Sequence, residues 1–412
     1  MPKLSKVTQT LTNISTDVDV PAGASRAGAQ SPEPAYRAIA LYLPQFHPIP
    51  ENDEWWEPGF TEWTNVAKAS PLFRGHHQPN LPADLGFYDL RVPEVREAQA
   101  ALARNAGIEG FCYWHYWFGG RRILERPFTE VLASGRPNYP FCLAWANESW
   151  QGVWHGCERR MLIEQTYPGG ADIDAHFYSL LEAFQDSRYI RVHGMPLFML
   201  LQPTQLPDSR RFTDRWQELA RANGLTGIHF VAHNKAEANF DWRAAGFSAA
   251  VAANPLKVYK MRIWKLIERY FATHGIVTAG RAAVRIMGSR LIQKALGWKG
   301  SIYRYEDAIA SISPDCALAD GWYGVALPNW DNSPRAGRNG VILHHSTPES
   351  YRRHLREVLA GFSDREREDR IVFIKSWNEW AEGNYLEPDQ RFGHQYLDVT
   401  RDELLDGSRV AR

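Results

Sequence analysis

No run of roughly 18 apolar residues occurs among the 412, so no helical membrane span is expected. The N-terminal stretch MPKLSKVTQTLTNISTDVDV lacks the roughly 7–15-residue apolar core of a secretory signal, and the simplest expected location is the cytoplasm. Cysteine is scarce: Cys112, Cys142, Cys157 and Cys316 form neither a CxxC pair nor a metal knuckle, which argues against a disulfide framework. Cys112 and Cys142 sit in apolar runs and read as buried thiols. An excess of one charge is also missing, with 47 Lys+Arg against 47 Asp+Glu, so a whole-surface nucleic-acid binder is not expected. There is no Walker loop, dinucleotide fingerprint, GxSxG elbow, HxH or HExxH, so no cofactor and no metal is expected. Asp331 and Glu148 are the acids best placed for a cation, but such acids more often bind sugar hydroxyls or pair with an arginine such as Arg335.

Aromatic residues are what the chain has in excess: 16 Trp, 17 Tyr and 19 Phe, or 13%. Aromatic faces suit sugar C–H faces, so an aromatic-lined cleft is the first expectation, beside the plainer one of a large core. Residues 1–37 hold a single aromatic and many small polar residues, and read as a disordered tail. From Ala38 onward, eight short apolar runs recur: AIALYL, GFCYWHY, FCLAWA, PLFMLL, IHFVA, AAVAA, GVAL and IVFIKS. They lack polar alternation, as parallel strands covered on both faces do. Helical patterns over Val92–Asn105, Asp174–Gln185, Ser209–Asn223 and Thr347–Gly361 lie between them. The arithmetic is that of one α/β domain, a (β/α)8 TIM barrel over 38–400, with long insertions after strands 1 and 6 and a tail at 401–412. An open doubly wound sheet is the competitor, but its first turn would carry glycine, and LYLPQFHPIP has none.

The second insertion, at about 255–314, is basic. Residues 257–300 carry ten Lys/Arg against one acid, Glu268, so the balanced net charge is a cancellation. Its basic amphipathic pattern suits an anionic membrane surface or an anionic lipid-linked substrate, or else a solvated face on the acidic remainder.

Working groups of a barrel come from the C-terminal strand ends. Those ends, with the first long loop, deliver Gln45, His47, Trp63, Tyr113, His115, Tyr116, Trp145, Asn147, Glu148, His233, Asn234, Trp330, Asp331, Arg335, Trp377, Asn378 and Trp380 as candidate sugar contacts. Ten tryptophans fall in these regions. The sharpest motif is SWNEWAEGNYLEP, where Glu379 and Glu382 stand three apart after a strand. In a turn, such residues lie about 5–6 Å apart. That is near the ~5–5.5 Å of a retaining carboxyl pair, and closeness drives the two pKa values apart. Trp377 and Trp380 beside them are expected to supply desolvation and a sugar platform.

The strings LYLPQFHPIPENDEWWEPGFTEWTNV, GFCYWHYWF, LAWANESW, PNWDNSPR and WNEWAEGNYLEP, in this order across about 38–398, resemble the WbsX-like proteins of bacterial surface-polysaccharide loci. Those in turn are similar to glycoside hydrolase family 99, the endo-α-mannosidase family. The resemblance implies a (β/α)8 barrel and chemistry at a glycosidic bond of an oligo- or polysaccharide, free or lipid-linked. It implies Glu382 as general acid/base and Glu379 as the base for the substrate's own 2-hydroxyl, with retention through a 1,2-anhydro sugar. The hydrolases commonly carry histidine where this chain has Ala381, which detaches the pair from a mannosidase substrate. WbsX-like proteins are also labelled glycosyltransferases. A transferase in polysaccharide biosynthesis and a non-catalytic glycan-binding barrel are therefore the alternatives.

Overall fold

A computed structural model describes residues 34–152, 160–233, 240–251, 301–312 and 320–406. The eight expected strands are present: β1 Arg37–Tyr42, β2 Gly110–His115, β3 Phe141–Trp145, β4 Met195–Leu200, β5 His229–His233, β6 Ala249–Val251, β7 Trp322–Ala326 and β8 Ile371–Ile374. Each pairs in parallel with its sequence neighbours, and β8 returns to β1, so the sheet closes. Closure explains the unbroken apolar runs. One face of each strand meets the barrel interior and the other meets helices, so neither face needs polar alternation.

The helices are α1 Pro50–Trp55, α2 Glu62–Lys68, α3 Pro93–Asn105, α4 Arg126–Ser134, α5 Gly170–Gln185, α6 Ser209–Ala222, α7 Tyr305–Ile312, α8 Ser333–Ala336, α9 Pro348–Ala360 and α10 Gln395–Asp406. The C-terminal helix runs to Asp406, beyond the expected end at 400, because Leu404 packs fully buried. Local chemistry sets several starts. Asp208 caps α6 by accepting from Arg211 N at 2.9 Å, and Thr347 opens α9 with a capping box ahead of Pro348. Trp216 on α6 is fully buried against Phe198, Phe212 and Phe230, a contribution of roughly 2–3 kcal/mol for such a ring. Arg37 sits buried at the start of β1, where it grips Glu109 at 2.8 Å and Glu368 at 3.1 Å. Cys112 and Cys142 are free and buried, as expected.

The first insertion folds over the C-terminal strand ends. It supplies α1 and α2, and α2 packs on the turn that follows β8 and on α8. Its far end is tied to the chain after β8 by Ala83 N to Pro388 O at 2.9 Å and Gln390 N to Leu81 O at 2.9 Å. Of the second insertion, 252–300 lies outside the described residues. The part that follows forms a strand, Ser301–Arg304, paired in parallel with Val341–His344. No described helix is long and apolar enough to cross a membrane.

Candidate active site

The motif after β8 is built as a tight hairpin. Asn378–Glu379 pairs antiparallel with Asn384–Tyr385, and the turn between them, Trp380–Glu382, is a single 3-10 turn capped by Glu379. A 3-10 turn has three residues per turn, so positions i and i+3 eclipse. That geometry sets the Glu379 and Glu382 side chains together. Gly383 ends the turn at φ +54°, and a Cβ there would lie 2.8 Å from three atoms of Asp331. Only glycine fits.

The two carboxyls share a hydrogen bond in which Glu382 is the donor. Burial, and then the Glu379 charge, raise Glu382 to about 8. Glu379 is held below the usual carboxylate range despite its burial, because Lys375, Glu382, Arg335 and Trp114 all favour its charged form. Trp114 Nε1 donates to Glu379 Oε1 at 2.9 Å. Arg335 donates to Glu382 Oε1 at 2.7 Å and, through Nε, to Glu62 Oε2 at 3.1 Å. At neutral pH the pair is therefore one acid and one base on one turn, with a guanidinium bracing the acid.

Around the pair, Tyr116 is buried, and burial and then the Glu379 charge push its hydroxyl well above the usual tyrosine range, with Arg335 opposing. Glu148 Oε2 accepts from Gln202 Nε2 at 2.8 Å. His233 lies in the barrel mouth with its ring 6.4 Å from that of Trp114. Two half-buried tryptophans from different loops, Trp55 and Trp150, meet edge to face at 5.8 Å, and Trp150 also meets Tyr116 at 5.0 Å. This aromatic shelf begins at Tyr116, beside the acid pair.

Several expected contacts go elsewhere. Alternation along a strand sends every second side chain outward. On β2, Trp114 faces the barrel interior, whereas Tyr113 packs on Phe128 of α4 and His115 bonds His176 of α5 at 2.9 Å. On β3, Trp145 packs against His176 and Phe212 in the helix layer. Trp377 is fully buried against Phe111, and Trp380 stacks on Tyr385 at 3.9 Å. The expected platform beside the carboxylates is thus a buried brace. Trp63 joins it, 5.6 Å from Trp380 with Nε1 bonded to Tyr88 O at 2.8 Å. His47 is enclosed, and burial lowers it to about 4. Gln45 is buried and meets α2 through its carbonyl, which accepts from Glu62 N at 3.1 Å. Asn378 clamps both backbone groups of Leu43, and Asn147 ties β3 to Gln202. Trp330 is buried with Lys375 Nζ 5.4 Å from its ring centre. Asn234 lies outside the described residues.

Asp331 does not pair with Arg335. Its Oδ2 accepts from His76 Nε2 at 2.6 Å and Gln78 Nε2 at 2.7 Å, and its Oδ1 from Ser333 N at 3.0 Å. His76 Nδ1 takes the Leu72 amide at 3.0 Å, which leaves Nε2 as the donor. Asp331 N in turn donates to Glu382 O at 2.7 Å. Asp331 therefore anchors the reactive turn to the first insertion.

Sequence reasoning missed Glu62, Gln78, Lys375 and Glu387. Glu387 is buried and accepts from Tyr88 at 2.9 Å, Gln99 at 2.7 Å and Trp380 at 2.6 Å. Burial raises it to about 7 against those donors. An acid amid apolar residues in NYLEP was the available signal. Glu62 in FTEWT carried none, since its partner is 273 positions away. Among the described residues, no cluster of three or more His, Cys, Asp or Glu fits a metal ion.

Against known proteins, the family model described as glycosyltransferase WbsX matches residues 38–400. The protein WxcX of Xanthomonas campestris pv. campestris is 39% identical over 375 residues in strain B100 and 40% identical over 376 residues in strain ATCC 33913. These alignments cover 90% of this chain and 50% of each relative, so the chain spans about half the length of the relatives it matches. Among solved structures, a glycoside hydrolase-like protein superposes with a TM-score of 0.53 at 14% identity, covering 93% of this chain and 97% of the other. The GH99 endo-alpha-mannosidase from Bacteroides thetaiotaomicron superposes with a TM-score of 0.51 at 13% identity, covering 91% and 98%. At such identities the superpositions speak for a shared barrel. The match to the family model over nearly all of the described chain carries the assignment: this chain belongs to the WbsX glycosyltransferase family.

Proposed function

We propose that the chain makes or breaks glycosidic bonds of a bacterial surface polysaccharide with retention of configuration. Glu382 is the general acid/base and Glu379 the base toward the sugar's 2-hydroxyl. The observation that carries this reading is the placement of two carboxyls on one 3-10 turn, with Trp114 donating to Glu379 and Arg335 to Glu382; burial and the Glu379 charge, which raise Glu382, support it. In the forward step, Glu382 gives its proton to the departing glycosidic oxygen. Glu379 takes the 2-hydroxyl proton as that oxygen closes on the anomeric carbon. Glu382, now a carboxylate, then takes a proton from the incoming water or sugar hydroxyl as it opens the three-membered ring, and Glu379 returns its proton to the 2-oxygen, so both carboxyls end as they began. Arg335 steadies Glu382 as it becomes anionic. The Trp55–Trp150 shelf offers aromatic faces for sugar C–H faces, so the substrate extends from Tyr116 toward the rim.

The test is turnover of defined α-mannosides and lipid-linked oligosaccharides by wild type, Glu379→Gln and Glu382→Gln, with product anomers followed by NMR. Each variant is expected to be folded and inactive, and the wild type to retain configuration. Wild-type turnover in either variant, or inversion, sinks the reading.

The family's name favours a second reading, transfer from a nucleotide-activated sugar. Release of nucleoside diphosphate from a nucleotide sugar in the presence of a lipid-linked acceptor supports that alternative over the first. In either case we propose a cytoplasmic enzyme that meets its substrate at the inner membrane face through the basic stretch 257–300. Salt-sensitive sedimentation with anionic vesicles, abolished when the ten bases are replaced by glutamine, is the expected result. Sedimentation indifferent to salt argues against it.

A further inference from the structure

Against the Asn378–Tyr385 hairpin lies a cavity of about 90 Å3. A single water needs roughly 10–15 Å3, so a larger group fits. The loops after β1, β7 and β8 all contribute to it, and Gly383 and Tyr385 of the reactive hairpin form part of its wall. Its lining is rich in donors that nothing uses. Arg391 lies with its guanidinium 4.6 Å from the ring centre of Phe392, and makes no ion pair among the described residues. His77, His344 and His345 line the same space, with the last two rings 3.8 Å apart. Asn80 adds an amide, and the buried Trp330 Nε1 has no partner.

Two carboxylates also line the cavity, but most of their acceptor positions are taken. Asp331 is taken by His76, Gln78 and the Ser333 amide. Asp389 accepts from the Tyr385 hydroxyl at 2.8 Å and from the amides of Arg391 at 2.9 Å and Phe392. What remains to meet a guest is one guanidinium without an ion pair among the described residues, three imidazoles, an amide and an indole N–H; burial lowers His344 to about 4 and also lowers His77, so these rings meet a guest as neutral donors of one N–H each. That donor set suits an oxyanion.

We propose that this cavity is an anion subsite that holds a phosphate or carboxylate group of the glycan substrate. The inference rests on the reading of the chain as a glycan-active enzyme, and it adds a chemical class to its substrate. An acidic sugar and the pyrophosphate of a lipid carrier share this chemistry.

The test is calorimetric titration of the full chain with inorganic phosphate, pyrophosphate, glucuronate and, as a neutral control, methyl α-mannoside. Saturable 1:1 binding of at least one anion is expected, with little binding of the neutral sugar. Arg391→Gln should weaken that binding at least roughly tenfold, because a charge-assisted contact is lost. His345→Asn should weaken it several-fold while keeping the fold, since His345 sits at φ +66° and asparagine tolerates that backbone. Preference for pyrophosphate identifies a lipid-carrier head, and preference for glucuronate an acidic sugar. Absence of anion binding through the millimolar range, equal binding of the neutral sugar, or binding unchanged in Arg391→Gln overturns the proposal. Glu382→Gln should keep anion binding intact, so failure here is distinct from failure of the acid/base pair.

Discussion

Replacing Glu379 with glutamine separates the two forces that set the proton on Glu382. In the wild type, burial and the Glu379 charge together raise Glu382 to about 8, while Arg335 opposes both. Two unit charges ~4 Å apart in an effective dielectric of about 20 repel by about 4 kcal/mol. That is worth about three pH units. Burial remains when the charge is removed, so Glu382 in Glu379→Gln should titrate near about 5–6. The direction follows from the sign of the coupling: with a neutral neighbour, ionised Glu382 is penalised less and releases its proton at lower pH. Stability follows by linkage. A carboxyl whose folded value is raised stabilises the fold fully below its unfolded value of roughly 4.3 and loses that contribution as pH rises through the folded value. The wild type should therefore lose melting temperature between about pH 5 and 8, and the variant should lose less over the same range. Glutamate-selective carbon-13 NMR reads the titration, and calorimetry reads the melting. If Glu382 still titrates near 8 in the variant, burial alone governs it and the pair is not coupled as described.

Other perturbations probe the supports. Gly383→Ala forces a Cβ within 2.8 Å of Asp331 at a left-handed φ, and should cost about 2–3 kcal/mol in denaturant unfolding with turnover abolished. Glu387→Gln places an amide where three donors converge and should destabilise by about 2–3 kcal/mol, with kcat falling more than KM rises because the tryptophan brace of the turn loosens. Trp150→Ala should raise KM for an oligosaccharide roughly fivefold, about 1 kcal/mol, and leave KM for a short aryl glycoside unchanged. Turnover by the wild type should fall as pH rises through about 8, where Glu382 loses the proton it must donate, and a pH–rate profile checks this.

The architecture was legible because it is written locally. Apolar runs such as AIALYL and IVFIKS admit few readings other than strands covered on both faces, and their spacing leaves room for helices. The reactive turn was legible for the same reason, since Glu379, Glu382 and Gly383 lie within five residues. Which side chains of a strand end look inward was less so. GFCYWH puts Tyr113 and His115 in one parity class and Trp114 in the other. Nothing local says which class faces the barrel when both are aromatic and both are buried. The same ambiguity misplaced Trp145. Trp377 and Trp380 misled differently: proximity to the carboxylates suggested a platform, but Trp377 packs on Phe111 and the Trp380 indole serves Glu387, an acid whose role appears only once α3 and the first insertion fold against the turn.

A Glu-x-x-Glu turn alone does not divide its protons usefully. Two equal carboxyls in contact would share one proton with no preference for either. The asymmetry comes from elsewhere in the chain. Trp114 on β2 donates to Glu379, whereas Arg335 after β7 reaches Glu382 and is shared with Glu62 on α2. Lys375 adds a positive charge on the Glu379 side. Three loops and one strand thus decide which carboxyl is the acid, and α2 can do so only because Asp331 and the 83–390 contacts hold the first insertion down on the turn. In the proposed mechanism the same asymmetry serves hydrolysis and transfer between glycosides alike, because both begin with protonation of a departing glycosidic oxygen. Transfer from a nucleotide-activated sugar differs, since its departing phosphate needs no proton. Under the proposal, hydrolysis and transglycosylation part only at the acceptor side, where the Trp55–Trp150 shelf either holds a sugar hydroxyl over the opened site or leaves it to water.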